Sequence, residues 1–111
     1  MADITPKDYF DQTIPENLKA NPDVVTKINS IYQFKLSGPN GGDWYVDLTK
    51  PGGEVKAGEN PGAKCTITMT DNDFVAMVTG KLNSQMAFMT GKLKIKGDMG
   101  LALKLQNIMK K

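Results

Sequence analysis

Asp71, Asn72 and Asp73 stand side by side and bring together three oxygen-bearing side chains of the kind that hard cations take. A calcium loop needs further oxygens at fixed spacing ending in a glutamate, and Phe74, Val75 and Ala76 follow here instead. One of the three polar residues is therefore expected to cap a helix, whose dipole favours a carboxylate at that end. Cys65 is the single cysteine, which excludes an internal disulfide. As a nucleophile it would need a neighbour that lowers its pKa, such as a histidine, and the chain has no histidine. The same absence removes serine-histidine triads and leaves zinc or iron without a ligand cluster. Cys65 reads as a small buried hydrophobe, and no catalytic residue, metal or cofactor is expected.

A softer chemistry is carried by methionine. Five of the seven methionines fall within residues 64–106. A flexible, polarizable thioether can repack around ligands of different shape, so this stretch suits the wall of an adaptable apolar cavity. It equally suits gap filling in an ordinary core.

The elements that would position these side chains follow from periodicity. Thr5, Pro6 and Asp8 signal a helix start, a hydroxyl cap before proline at the first helical position. Tyr9, Phe10, Ile14 and Leu18 recur at helical spacing, and Pro15, which lacks a backbone donor, should end or kink that helix near Ile14. Asn21 and Pro22 begin a second short helix carrying Val24, Val25 and Ile28. These two pieces form either a plain amphipathic cover on a sheet or a lid over a buried site. From Ile31 the period becomes two: Tyr32, Phe34 and Leu36 alternate with Gln33 and Lys35, a turn follows, and Trp44, Val46 and Leu48 return. A short polar strand at residues 54–56 suits a sheet edge. Cys65, Ile67 and Met69 alternate in a fourth strand. Gly80 and Gly91 then end two short helices, the second started by Asn83 or Ser84 and carrying Met86, Phe88 and Met89. A fifth strand, residues 92–96, sets Leu93 and Ile95 against a row of lysines. A last amphipathic helix, residues 99–110, places Leu101, Leu105, Ile108 and Met109 on one stripe and Met99, Leu103 and Gln106 on the next.

Composition bounds the rest. The 111 residues carry a formal charge of +2 and are 40% hydrophobic, the make-up of one globular domain spanning 1–111. No run approaches the roughly 18 apolar residues of a membrane span, and the polar start MADITPKDYF lacks a signal-peptide pattern, so a cytoplasmic protein is expected. The carboxyl-terminal third is basic, with Asp98 its only carboxylate. Its lysines discourage edge pairing of the fifth strand and could also draw the domain to an anionic membrane surface. No nucleic acid is expected, because the chain has no arginine and no interleaved exposed aromatics.

The runs CTITMTDNDF (residues 65–74), MVTGKLNSQMAFMTGKLKIKGDMG (77–100) and LALKLQN (101–107) resemble the sterol carrier protein type 2 family of lipid-binding domains. Looser matches extend back to SIYQFKLSG (30–38) and WYVDL (44–48), while Pro15 departs from the unbroken helix usual in that family. The resemblance implies an α+β fold: about five strands in a mainly antiparallel twisted sheet, helices covering one face, and an apolar ligand tunnel between them. It implies a monomeric carrier that binds one long-chain lipid (fatty acid, sterol or fatty acyl-CoA) and exchanges it with membranes or enzymes. The residues expected at the ligand are Ile14, Leu18, Val24, Ile28, Trp44, Val46, Ile67, Phe74, Met77, Leu82, Gln85, Met86, Phe88, Met89, Met99, Leu103 and Gln106. Gln85, matched by glutamine in the family, and Gln106 are the candidates for the ligand's polar head. Leu103 is expected to line the cavity with Met77, Phe88, Met89 and Met99. The end Met109-Lys110-Lys111 lacks the terminal leucine of the peroxisomal tripeptide that many family members carry, which points to the cytosol. The alternative is an interaction module with a filled core, whose apolar helix stripe docks a partner protein.

Overall fold

The computed structural model describes residues 5–104. The chain enters through a capping box: the Thr5 hydroxyl accepts from the Asp8 N–H while the Asp8 carboxylate accepts from the Thr5 N–H, both at 3.3 Å. Pro6 follows the cap, where its missing donor costs nothing. Helix α1 (Pro6–Asp8) runs into a π-helical segment, Tyr9–Thr13, and on into α2 (Ile14–Ala20). The expected end near Ile14 is thus a change of hydrogen-bond register. The Ile14 N–H reaches back five residues to the Tyr9 carbonyl, and Pro15, which could not have supplied an α-type donor to Asp11, falls just past the switch.

Helix α3 (Pro22–Ile28) starts at Asn21, as expected, but the Asn21 side chain does not cap it. Its amide donates to the Asn17 carbonyl at 2.9 Å and so closes α2, while the Asn21 backbone carbonyl accepts from Val24 and Val25. Asn29, in the left-handed region at φ 45°, ends the helix and releases the chain into the sheet.

The sheet has five strands, β1 (Ile31–Ser37), β2 (Gly42–Asp47), β3 (Glu54–Ala57), β4 (Cys65–Thr70) and β5 (Lys94–Gly97), in the order β3-β2-β1-β4-β5. The pairing is antiparallel except between β1 and β4, so the fold is α+β with a mostly antiparallel sheet. Polar β3 and lysine-bearing β5 lie at the two edges, where unpaired backbone invites association that charge discourages. Strand β5 begins later than its alternation suggests, because the N–H groups of Lys92 and Leu93 go to the Ala87 carbonyl at 2.9 and 3.0 Å.

The strand register explains the core. Tyr32, Phe34 and Leu36 share one face with Val46 and Trp44 of β2 and with Cys65, Ile67 and Met69 of β4. The π-helical segment and α2 lie over the β3 side of this face. Phe10 stacks on Trp44 and Phe74 at ring-centroid distances of 4.8 and 5.2 Å and meets Phe34 edge-on at 5.0 Å. Short helix α6 (Met99–Lys104) packs on the other side, against β4 and β5.

Alternation points Gln33 to solvent, and the structure buries it. The loop that follows β3 folds over the reverse face of the sheet, where Gln33 Nε2 donates to the Trp44 and Gly58 carbonyls and Oε1 accepts from the Asn60 N–H. The cap of α4 (Asp71–Val78) is likewise one residue earlier than expected. Thr70 accepts from the Asp73 N–H, and Asp71 turns inward to accept from the Asn40 N–H at 2.9 Å. Gly38 permits that approach, since its φ is 104° and a Cβ there would collide with the Asp71 carboxylate.

Candidate functional site

The apolar residues grouped by sequence separate into three environments. Ile14, Leu18, Ile28, Trp44, Val46, Ile67 and Phe74 are buried in the core. Phe10 lies in contact with three other rings there, Phe34, Trp44 and Phe74, so aromatic packing closes this part of the layer in the structure. Trp44 and Phe74, both expected at the ligand, have Phe10 stacked on them in this structure. Val24, Met77 and Leu82 are half-buried and rest against that core, joined by Val55, Val78 and Ile95, which were not among the residues expected at the ligand.

The third group lies on the surface. Met86, Phe88, Met89 and Met99 are 56, 44, 79 and 46% exposed, so much of each side chain faces outward. Helix α5 (Ser84–Met89) explains why. Asn83 caps it by accepting from the Gln85 and Met86 N–H groups, and among its described side chains only Ala87 is buried. With the inward face taken by the smallest side chain, Gln85, expected to point inward, is exposed as well. The side chain of Leu103 and the whole of Gln106 lie outside the described residues.

The apolar layer is therefore uneven. Its β1–β3 side is packed with aromatic rings, while the segments flanking β5 carry half-buried and exposed methionines. A tether joins the two parts: the buried Tyr32 hydroxyl on β1 donates to the Leu101 carbonyl in α6 at 2.5 Å. An inward tyrosine on a core strand signals such a bond, because its polar tip must find a partner. Asp98 sets up the same turn by accepting from the Gly100 and Leu101 N–H groups. At the opposite end, a cleft of about 240 Å³ lies among Thr5, Lys7, Asn40, Gly41 and Trp44. It falls below the roughly 300 Å³ at which ligand pockets begin.

Burial is the main electrostatic influence on the described groups of the layer whose pKa is shifted. Burial, followed by the nearby Asp98 charge, pushes the Cys65 thiol up to about 11, which keeps it protonated and inert. Burial likewise pushes Tyr9 up to about 12, and raises Tyr32 with smaller contributions from Cys65 and Asp98. Among the described residues no cluster of three or more Cys, Asp or Glu side chains could hold a metal ion, and no helix is long and apolar enough to cross a membrane.

Similarity to known proteins agrees with this architecture. Human hydroxysteroid dehydrogenase-like protein 2 is 52% identical over 88 residues, 78% of this chain and 21% of that protein. The curated relatives are much longer, and the chain spans between 16 and 22% of their length. The structure of sterol carrier protein 2 from Yarrowia lipolytica, in its apo form, superposes with a TM-score of 0.77 at 33% identity, covering 94% of this chain and 91% of that one. Palmitated SCP2L2 from Aedes aegypti superposes with a TM-score of 0.64 at 25% identity, covering 88% and 92%. The profile of the SCP-2 sterol transfer family matches residues 10–110, and the chain belongs to that family.

Proposed function

We propose that this domain carries one long-chain lipid, a fatty acid, sterol or fatty acyl-CoA, and exchanges it with membranes or enzymes. The observation that carries the reading is the unevenness of the apolar layer. Beside a ring-packed core, Met77, Leu82 and Ile95 are only half-buried and Met86, Phe88, Met89 and Met99 stand exposed, on α4, α5, β5, α6 and, for Leu82, the connection between α4 and α5. A lipid chain laid along that boundary would cover apolar surface that the protein leaves to water, and methionine can adapt to chains of different shape. Palmitate in the Aedes aegypti relative supports an acyl chain as one such occupant. Gln85, at the exposed start of α5, is a donor that could meet a lipid's polar head at the rim. The reading gives the domain no catalytic step.

Titration with a fluorescent long-chain fatty acid tests it. Saturable one-to-one binding is expected, and a well-folded sample that binds none would favour an interaction module. Extraction with organic solvent and mass spectrometry would then identify the lipid carried, which apolar walls by themselves select only weakly.

A further inference from the structure

Residues 74–97 contain four lysines and no carboxylate. In their midst α5 is held by its backbone. Its cap is Asn83, Thr90 Oγ1 donates to the Met86 carbonyl at 2.8 Å, and the Ala87 carbonyl takes the N–H groups that lead into β5. A helix fixed this way keeps its larger side chains free, and Met86, Phe88 and Met89 face water. Lys81 and Lys92 stand three residues outside its two ends, and their backbone N–H groups are pinned to the Ala76 and Ala87 carbonyls. Lys7, Lys35, Lys50 and Lys56 are ion-paired within the domain, whereas among the described residues Lys81, Lys92, Lys94 and Lys96 have no carboxylate partner.

We propose that α5, with Lys81 and Lys92, is a membrane-docking element. Met86, Phe88 and Met89 enter the boundary between headgroups and acyl chains of an anionic bilayer, and the two lysines lie on its headgroups. The composition favours a bilayer over a protein partner. Met and Phe suit a protein interface as well, but such interfaces are depleted in lysine, whereas a short apolar element with a lysine three residues beyond each end matches a surface that is greasy beneath and negative above. So small an element binds shallowly and reversibly. Docking here would bring the proposed carrier to its membranes, so its purpose rests on that reading while its geometry does not.

Co-sedimentation of lipid-stripped protein with phosphatidylcholine vesicles, with and without phosphatidylserine, tests the assignment. Association is expected with the anionic vesicles only. Each lysine near such a surface is worth roughly fivefold, so Lys81→Gln/Lys92→Gln should weaken association by about 25-fold. Met89→Glu, at an exposed position that folding does not depend on, should lose association. Lys19→Gln/Lys27→Gln, which removes equal charge from α2 and α3, should leave it unchanged. Equal loss in the two double variants, equal binding to neutral vesicles, no association of the unaltered protein, or full association of Met89→Glu would each overturn the proposal. Fatty-acid titration in vesicle-free solution separates the two readings. Lys81→Gln/Lys92→Gln should still bind the fatty acid, and if the unaltered protein binds none, carriage fails while the vesicle results still decide docking.

Discussion

Replacing Phe10 by leucine should damage the fold and spare the ligand site. The Phe10 ring is fully buried and lies 4.8, 5.0 and 5.2 Å from Trp44, Phe34 and Phe74. Leucine keeps most of the buried apolar area, so the loss is chiefly that of three ring pairs, each worth about 0.5–1.5 kcal/mol beyond area. With partial refilling by the new side chain, the expected cost is about 2–3 kcal/mol. For a domain of this size that lowers Tm by about 10–20 °C. Trp44, the single tryptophan, reports unfolding through its own fluorescence because it stacks on the altered position. Met77→Ala is the counterpart. Met77 is only half-buried, so its truncation should cost less than the roughly 2–5 kcal/mol of a fully buried methionine and should instead weaken fatty-acid binding. The reasoning is refuted if Phe10→Leu melts with the unaltered protein and loses fatty-acid affinity, since the aromatic side would then be the ligand wall.

Two further outcomes follow from buried polar groups. Tyr32→Phe removes the donor to the Leu101 carbonyl, at a cost of about 1–2 kcal/mol, and should speed hydrogen exchange in α6 well before it changes exchange in β1. Cys65 should resist alkylation at neutral pH in the folded protein and react once denaturant exposes it; rapid alkylation of the native state would contradict its burial. The same thiol binds its proton more tightly folded than unfolded, its pKa standing at about 11 against an ordinary 9.0. Its contribution to stability is therefore complete below pH 9.0 and lost as pH rises towards about 11, which denaturation midpoints across that interval would register.

What the sequence made legible was what local rules determine. Strict alternation placed Tyr32, Phe34, Ile67 and Met69 on one face, and a hydroxyl before Pro6 marked the first cap. Alternation carries no information about a loop's path, so it sent Gln33 outward although the loop after β3 returns to bury it. Residue type also left Thr70 hidden as the cap of α4, since the three polar residues after it are equally good candidates. At Pro15 the local rule identified the missing donor but not the π-turn that absorbs it. The site shows the same boundary. Sequence reading assembled one continuous lipid wall from apolar residues, because hydrophobicity alone does not distinguish a side chain covered by protein from one covered by something else. Tertiary packing divides that set: Phe10 satisfies Trp44 and Phe74, whereas a helix as short as α5 can spend its single inward face on Ala87 and leave Met86, Phe88 and Met89 in water. Exposed apolar side chains on so firmly capped an element leave surface that the proposed lipid, carried or in a bilayer, would cover, and it would answer both the flexibility of the methionines and the lysines that flank α5 in the chain.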